Sequence, residues 1–214
     1  MWNSFNTADY SGMIAETVTV PANNGNGLRI YYSRPLNKET YGSLVLIPHM
    51  PGWDEYLREA SRRFTEHGYA VACPDIYQSM GTGLPTEVSA RAREAGGIPD
   101  ESVMSDTKVC IDFLRSQPKS NGKVGVIGMC SGGRHTFLAA CTLDGIDAAV
   151  DCWGGALGRG NAPAPIDKVD GLNCPLLGIF GNEDRWPARE EVDAMEEVLK
   201  KPPPRGESGS APHG

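Results

Sequence analysis

Short apolar runs alternate along the chain with longer amphipathic segments, which is the pattern of a parallel β-sheet covered by helices. The apolar runs predict seven strands: Thr17 to Val20, Leu28 to Ser33, Ser43 to Pro48, Ala70 to Pro74, Val124 to Gly128, Ala148 to Trp153 and Leu176 to Gly181. The amphipathic segments predict four helices: Glu55 to Glu66, Asp100 to Ser116, Gly133 to Leu143 and Ala188 to Lys200. Leu44 to Ile47 is apolar at every position, as a strand buried on both faces requires. The predicted fold class is therefore α/β.

Two segments interrupt this alternation. The first two predicted strands flank residues 23 to 27, whose asparagines and glycines favour an antiparallel hairpin. Residues 78 to 99 are rich in glycine and proline and predict a loop over the carboxyl ends of the strands, where sheets of this class bind their ligands. We expect substrate contacts in that loop.

The chain has 214 residues, enough for one domain of this class, and no long linker divides it. The predicted organisation is an N-terminal extension of residues 1 to 15, an α/β domain of residues 16 to 200 and a tail of residues 201 to 214. The tail reads KPPPRGESGSAPHG, a composition that buries little apolar surface, and is expected to be disordered.

Charge and cysteine usage exclude several classes of partner. The net charge is −7 and basic residues do not cluster, which argues against nucleic acids and anionic membranes. The N-terminus lacks a basic start followed by an apolar stretch, and no run of about eighteen apolar residues is present, so we expect a soluble, cytoplasmic protein. Six separated cysteines without a CxxC pair are typical of reduced, buried thiols.

One segment carries a specific chemical signal. The apolar run Val124 to Gly128 leads into GMCSG and then into a helical pattern from Arg134. A strand, a GxCxG turn and a helix in this order form a nucleophile elbow with cysteine as the nucleophile. The turn places Cys130 at a helix N-terminus, where free backbone N–H groups favour the thiolate.

The glycine spacing distinguishes Cys130 from its neighbour. A sharp strand-to-helix turn crowds the backbone, so the positions occupied by Gly128 and Gly132 must lack side chains. Ser131 is a poor alternative nucleophile, because a frame centred on it would need glycine in place of Met129.

Chain order predicts the other two members of a catalytic triad, first an acid and then a histidine. Asp184 follows the last predicted strand and is the candidate acid, with Glu183 as the alternative and helix capping as the competing interpretation. His213 is the only histidine after Asp184, although no apolar strand positions it. His49 and His135 are alternatives in a different arrangement.

The loop after the strand ending at Pro48 is expected to supply one oxyanion-hole amide, and Ser131, the residue after the nucleophile, the other. Pro51 has no N–H, so Met50 or Gly52 is the candidate in that loop. His49 either lines the substrate pocket or braces the loop.

Three segments in order resemble the dienelactone hydrolase family of α/β-hydrolases: Gly68 to Asp75, Ser120 to Gly133 and Phe180 to Asp184. The resemblance covers about residues 16 to 200. It implies an α/β-hydrolase fold with a mostly parallel sheet, a Cys130 nucleophile and an Asp184 acid. It also implies that Arg93 engages a substrate carboxylate.

Two features depart from the family pattern. Family members carry a glutamate in the loop after Pro48, whereas this chain has His49 and Met50, so the substrate need not be a dienelactone. Family members also continue beyond the helix ending near Lys200 with a strand, a GHxF-like segment and a closing helix. The tail stands in that place here, so we expect the final strand and helix to be missing through truncation, frameshift or an alternative transcript. An uncovered sheet edge predicts a monomer or a weak homo-oligomer.

The predicted function is a thiol hydrolase that cleaves a small ester or lactone through an acyl-enzyme on Cys130, with no metal or organic cofactor. The alternative is a catalytically impaired remnant that binds a small carboxylated ligand or a partner protein, and a redox sensor at Cys130 is a minor third hypothesis. Trp53, Tyr77 and Trp153 are candidates for either pocket lining or core packing.

Overall fold

A seven-stranded sheet runs through the computed structural model, which describes residues 12–22, 25, 27–155 and 164–200. In chain order the strands are β1 (Met13–Pro21), β2 (Gly27–Pro35), β3 (Tyr41–Ile47), β4 (Ala70–Pro74), β5 (Ser120–Met129), β6 (Ala148–Cys152) and β7 (Leu176–Ile179). Their order across the sheet is β1-β2-β4-β3-β5-β6-β7. The β1–β2 and β2–β4 pairs are antiparallel and the others are parallel, which confirms the predicted hairpin and the mostly parallel sheet.

Helices flank the sheet on both faces. Those in the described ranges are α1 (Glu55–Glu66), α2 (Pro85–Glu94), α3 (Asp100–Arg115), α4 (Ser131–Thr142) and α5 (Arg189–Leu199). Short 3₁₀ turns form at Gln78–Met80 and Pro165–Gly171. The α/β-hydrolase fold class predicted from the sequence is confirmed.

The core lies on both faces of the central strands. Val45 and Leu46 are fully buried neighbours on β3 whose side chains point to opposite faces, because strand side chains alternate. Val45 belongs to a cluster that contains Ile111 of α3, and Leu46 to a cluster that contains Leu57 of α1. The apolar run of β3 is therefore explained by burial on both sides.

Residues 78 to 99 differ from the sequence expectation. Instead of one continuous loop they contain α2, with Pro85 in its first turn, where a missing N–H costs no helical hydrogen bond. The carboxylate of Glu87 accepts a hydrogen bond from the N–H of Leu84 at 3.1 Å. The loop prediction was wrong over 85–94 because the glycines and prolines bound the helix instead of interrupting it.

The two ends of the domain also depart from simple expectation. β1 begins at Met13, so residues 13–15, which were expected to precede the domain, belong to the sheet. At the other edge, β6 is the one strand of the described ranges that pairs with β7, and Leu177 and Ile179 are 56% and 47% exposed. In residues 164–200, α5 is the only helix or strand after β7; the expected lack of a final strand and helix concerns residues outside the described ranges and stays a prediction.

No helix in the described ranges combines the length and the apolar character needed to cross a bilayer. Residues 1–11 and the predicted tail of residues 201–214, which includes His213, lie outside the described residues.

Candidate active site

Cys130 is the single residue between β5 and α4. β5 ends at Met129 and α4 begins at Ser131, and the backbone of Cys130 has φ of +54°, a value that L-residues rarely adopt. Its N–H donates to the carbonyl oxygen of Cys152 on β6 at 3.0 Å, which ties the turn to the neighbouring strand. The Cys130 side chain is exposed, as a nucleophile at the top of the sheet requires.

Close backbone packing explains the glycines around this turn. A Cβ atom on Gly128 would lie less than 3.0 Å from the carbonyl oxygen of Gly132, a separation that real Cβ atoms do not show. A Cβ on Gly132 would collide in the same way with the carbonyl oxygen of Ile47 at the end of β3. The two glycines singled out from the sequence are therefore steric requirements of the elbow. Gly133 is a third, because a Cβ there would collide with the Asp151 carboxylate.

The loop after β3 reaches the elbow at Met50. The N–H of Met50 donates to the side-chain oxygen of Ser131 at 3.1 Å, so the two predicted oxyanion residues are in contact. The N–H of Gly52, the alternative donor, is used within the loop, where it donates to the carbonyl oxygen of His49 at 2.6 Å. Of the two loop amides considered, the Met50 amide is the one directed at the elbow.

His49 braces the start of α1. Its Nε2 lies 2.9 Å from Oδ2 of Asp54, and Oδ1 of Asp54 accepts from the N–H of Leu57 at 3.0 Å as the helix N-cap. The imidazole also lies 5.6 Å, centroid to centroid, from the ring of Tyr56. These contacts fit the bracing interpretation of His49.

Tyr77 is close enough to both Cys130 and the predicted carboxylate-binding Arg93 to interact with them electrostatically. The pKa of Tyr77 is raised to about 12, mainly by burial and to a smaller extent by its interaction with Cys130, while the Arg93 guanidinium acts in the opposite direction. The ring also packs against Gly52, where a Cβ would lie 2.7 Å from Tyr77 Cδ2. Arg93 is exposed in the last turn of α2. Cys130 and Arg93 thus both lie within electrostatic range of Tyr77, and the predicted role of Arg93 in substrate binding stays a prediction.

Asp184 lies past the end of β7, on the same edge of the sheet as Cys130, because parallel strands place their carboxyl ends together. The Asp184 side chain is exposed, and its Oδ1 accepts a hydrogen bond from the N–H of Trp186 at 3.0 Å. Neighbouring Glu183 is exposed as well. His213 lies outside the described residues, so its predicted contact with Asp184 stays a prediction.

His135 is directed towards a carboxylate on α3. Arg134 donates from both terminal nitrogens to Asp100, at 2.6 and 2.9 Å, and Nε2 of His135 lies 3.2 Å from Oδ1 of Asp100. Hydrogen bonds from His135 and Arg134 hold the pKa of Asp100 well below its usual range. This cluster fastens the first turn of α4, and hence the elbow, to the N-terminus of α3.

Replacing Asp100 by asparagine is expected to lower the free energy of unfolding by about 2 kcal/mol at pH 7, since it removes a two-pronged charged pair that is partly screened by solvent. The folded pKa of Asp100 lies below its unfolded value of about 3.9. The contribution is therefore full above that value and is lost as the pH falls towards the folded pKa. Urea unfolding of both proteins between pH 7 and pH 3 measures it.

Asp112→Asn on the same helix is the matched control. Asp112 pairs with Lys108 at the surface, where an i,i+4 pair contributes about 0.5 kcal/mol or less. An equal decrease in the free energy of unfolding for the two variants would contradict the role assigned to Asp100. So would a decrease for Asp100→Asn that does not become smaller below pH 4.

Asp151, a buried carboxyl group near the elbow, was not predicted from the sequence as a site residue. Asp151 on β6 is 1% exposed, its Oδ1 accepts from the N–H of Gly154 at 2.8 Å, and its Oδ2 has no hydrogen-bond partner among the described residues. Burial raises the pKa of Asp151 to about 6. The only indication in the sequence is that Asp151 is the one charged residue in the otherwise apolar run Ala148 to Trp153.

A mostly parallel sheet that carries a strand–cysteine–helix elbow, with an amide-bearing loop beside it, defines the α/β-hydrolase class. Residues 28–205 match the model of the dienelactone hydrolase family. The chain belongs to that family, as the sequence resemblance predicted, and is therefore a hydrolase that acts on ester or lactone bonds.

Two relatives illustrate the range of similarity. The carboxymethylenebutenolidase of Pseudomonas putida is 28% identical over 189 residues, which span 84% of this chain and 77% of that protein. A candidate carboxymethylenebutenolidase of Methylorubrum extorquens is 27% identical over 198 residues, which span 90% of this chain and 68% of that protein.

A crystal structure of a candidate dienelactone hydrolase from Klebsiella pneumoniae superposes with a TM-score of 0.79 at 25% identity, covering 88% of this chain and 81% of the other.

No group of three or more histidine, cysteine, aspartate or glutamate side chains in the described part of this chain is arranged to hold a metal ion.

Proposed function

We propose that this hydrolase cleaves a small carboxylic ester or lactone through a thioester on Cys130. The observation that supports this most directly is that Cys130 is the one exposed cysteine of six, at the tip of a turn with positive φ. The other five are buried or half-buried free thiols, and burial raises their pKa, that of Cys141 to about 12. Only Cys130 is both accessible and placed as a nucleophile.

The reaction takes two steps. The Cys130 sulfur attacks the carbonyl carbon, and the carbonyl oxygen becomes an oxyanion held by the N–H of Ser131 and by the Met50 loop. The carbon–oxygen bond to the leaving group then breaks, and the alcohol, or the hydroxyl of an opened lactone, departs with a proton. Water attacks the thioester, releases the carboxylic acid and returns the thiol.

The second step needs a base that activates water, and we assign this role to His213, oriented by Asp184. The support is chain order, together with the position of Asp184 at the carboxyl edge of the sheet. A chain without a positioned base would still be acylated but would release the acid slowly.

The substrate is proposed to carry a carboxylate that Arg93 binds. Arg93 is exposed, and its charge acts on Tyr77 beside Cys130. A cavity of about 340 Å³, which has room for a small molecule, is lined by Pro51, Trp53 and Tyr77 among others; Tyr77 is its link to this region, since neither Cys130 nor Arg93 lines it. Both relatives described above are named as carboxymethylenebutenolidases, which is consistent with a carboxylated lactone. We place this reaction in the cytoplasm, where six free thiols stay reduced.

A stopped-flow time course with p-nitrophenyl acetate tests the proposal. The intact chain is expected to release about one equivalent of p-nitrophenol in a burst and then to turn over at a slower rate, because acylation of a thiolate is faster than hydrolysis of the thioester. Iodoacetamide is expected to alkylate Cys130 before the half-buried Cys174, and to remove both phases.

Each outcome has a separate meaning. A burst without turnover would establish the nucleophile and contradict the role of His213. No burst, together with alkylation of Cys130 no faster than that of Cys174, would overturn the proposal and leave a binding protein built on a hydrolase fold.

A further inference from the structure

The hydroxyl of Ser131 contacts the loop after β3, next to Cys130. Ser131 is the first residue of α4, and its Oγ accepts the hydrogen bond from the N–H of Met50 at 3.1 Å. We propose that this hydroxyl donates directly to the oxyanion formed during attack by Cys130, and that the Met50 amide acts through it. The inference rests on the thiol-hydrolase function proposed above and names one further catalytic group in it.

The hydrogen-bonding capacity of a hydroxyl supports this assignment. A serine hydroxyl has one proton to donate and two lone pairs to accept with. The Met50 N–H donates a hydrogen bond to one lone pair of the Ser131 hydroxyl oxygen. Among the described residues, no acceptor forms a hydrogen bond with the hydroxyl proton. The proton is therefore available for a group that arrives with the substrate.

The position of this hydroxyl suits an anion. The N–H groups in the first turn of a helix have no partner within the helix, so the N–H of Ser131 is also available at the start of α4. The N–H and O–H of one serine can converge on a single oxygen. Donation by Met50 into Oγ polarises the hydroxyl, because hydrogen bonds in a chain strengthen one another.

A competing geometry has the Met50 amide donate directly to the oxyanion while the hydroxyl turns away. The observed contact would then have to break in every turnover, and the hydroxyl would compete with the substrate. Other contacts also hold the loop. Gly52 N–H donates to His49 O at 2.6 Å, and the Trp53 indole N–H lies 3.2 Å from the carbonyl oxygens of Cys73 and Pro74.

The two geometries predict different effects of Ser131→Ala on the acylation rate. If the hydroxyl donates, the variant loses an oxyanion donor, and the rate constant of the p-nitrophenyl acetate burst is expected to fall by about 10²- to 10³-fold. Ser131→Thr retains a hydroxyl and is expected to keep the rate within about tenfold of the original. If the hydroxyl competes, Ser131→Ala acylates at the same rate or faster, which would overturn the proposal.

Alkylation by iodoacetamide separates oxyanion stabilisation from a disturbed thiol. This reagent reacts by displacement at a saturated carbon and forms no oxyanion, so the alkylation rate of Cys130 is expected to be the same in all three proteins. The proposal is contradicted if Ser131→Ala lowers the burst rate constant and the alkylation rate by the same factor. It is also contradicted if the burst of Ser131→Thr is as slow as that of Ser131→Ala. Identical traces for the intact chain and Cys130→Ala would instead remove the hydrolase function itself, and the role of Ser131 with it.

Discussion

Replacing Cys130 by alanine is expected to abolish both the burst and the steady-state release of p-nitrophenol from p-nitrophenyl acetate. Without the sulfur no thioester forms, and removal of a catalytic nucleophile typically costs about 10³-fold or more even when the rest of the site is intact. The elbow glycines and the Met50–Ser131 contact remain in the variant, so any residual rate measures what oxyanion binding achieves alone. The stopped-flow trace gives both phases in one experiment.

Cys174→Ala is the matched control, because Cys174 is the most accessible of the other five thiols and lies in the loop before β7. Its trace is expected to match that of the unchanged chain. Cys130 has positive φ, and because cysteine and alanine both carry a Cβ atom, the substitution adds no backbone strain; thermal unfolding checks that the variant is folded. A folded Cys130→Ala protein that keeps its burst would assign the nucleophile to another residue.

The sequence was most informative where the cause of the structure is local. The elbow could be read from Gly128 and Gly132, because a tight turn excludes side chains whatever the rest of the fold does. β3 and β4 could be read from the apolar runs Leu44 to Ile47 and Ala70 to Cys73, because burial on both faces favours apolar residues at successive positions. In both cases one physical requirement decides the residue type.

Contacts between distant segments gave no comparable signal. Met50 and Ser131 are 81 residues apart, and nothing in either segment indicates that an amide of one meets the hydroxyl of the other. Asp100, Arg134 and His135 form one cluster only because the first turns of α3 and α4 lie side by side. Such pairings depend on how complete elements pack, which short-range patterns do not determine.

α2 was missed for a different reason. Glycine and proline are strong indicators of turns, but they also mark the first turn and the end of helices. Between Pro85 and Glu94 the chain has good helix-forming residues, and only their position relative to Pro85 separates a helix from a loop. Because α2 carries Arg93 in its last turn, the missed helix holds a predicted substrate-binding residue on a regular element.

Replacing Gly128 by alanine is expected to destabilise the protein by more than about 4 kcal/mol or to prevent folding. The added Cβ would lie under 3.0 Å from the backbone of Gly132 and would also meet Oγ1 of Thr136 at 2.8 Å. A backbone group cannot rotate away as a flexible side chain can, so the first turn of α4 would have to move off the end of β5. Urea unfolding followed by circular dichroism measures the loss.

Gly125→Ala on the same strand separates the elbow from a general intolerance of side chains in β5. A Cβ on Gly125 would meet Leu44 Cδ2 at 3.0 Å and the carbonyl oxygen of Ala148 at 3.4 Å, and the leucine end can shift. Its expected cost is about 1 kcal/mol or less, with the burst retained. Equal stabilities for the two variants would mean that α4 adapts to a side chain at Gly128. The tight packing that exposes Cys130 would then not be what positions the nucleophile.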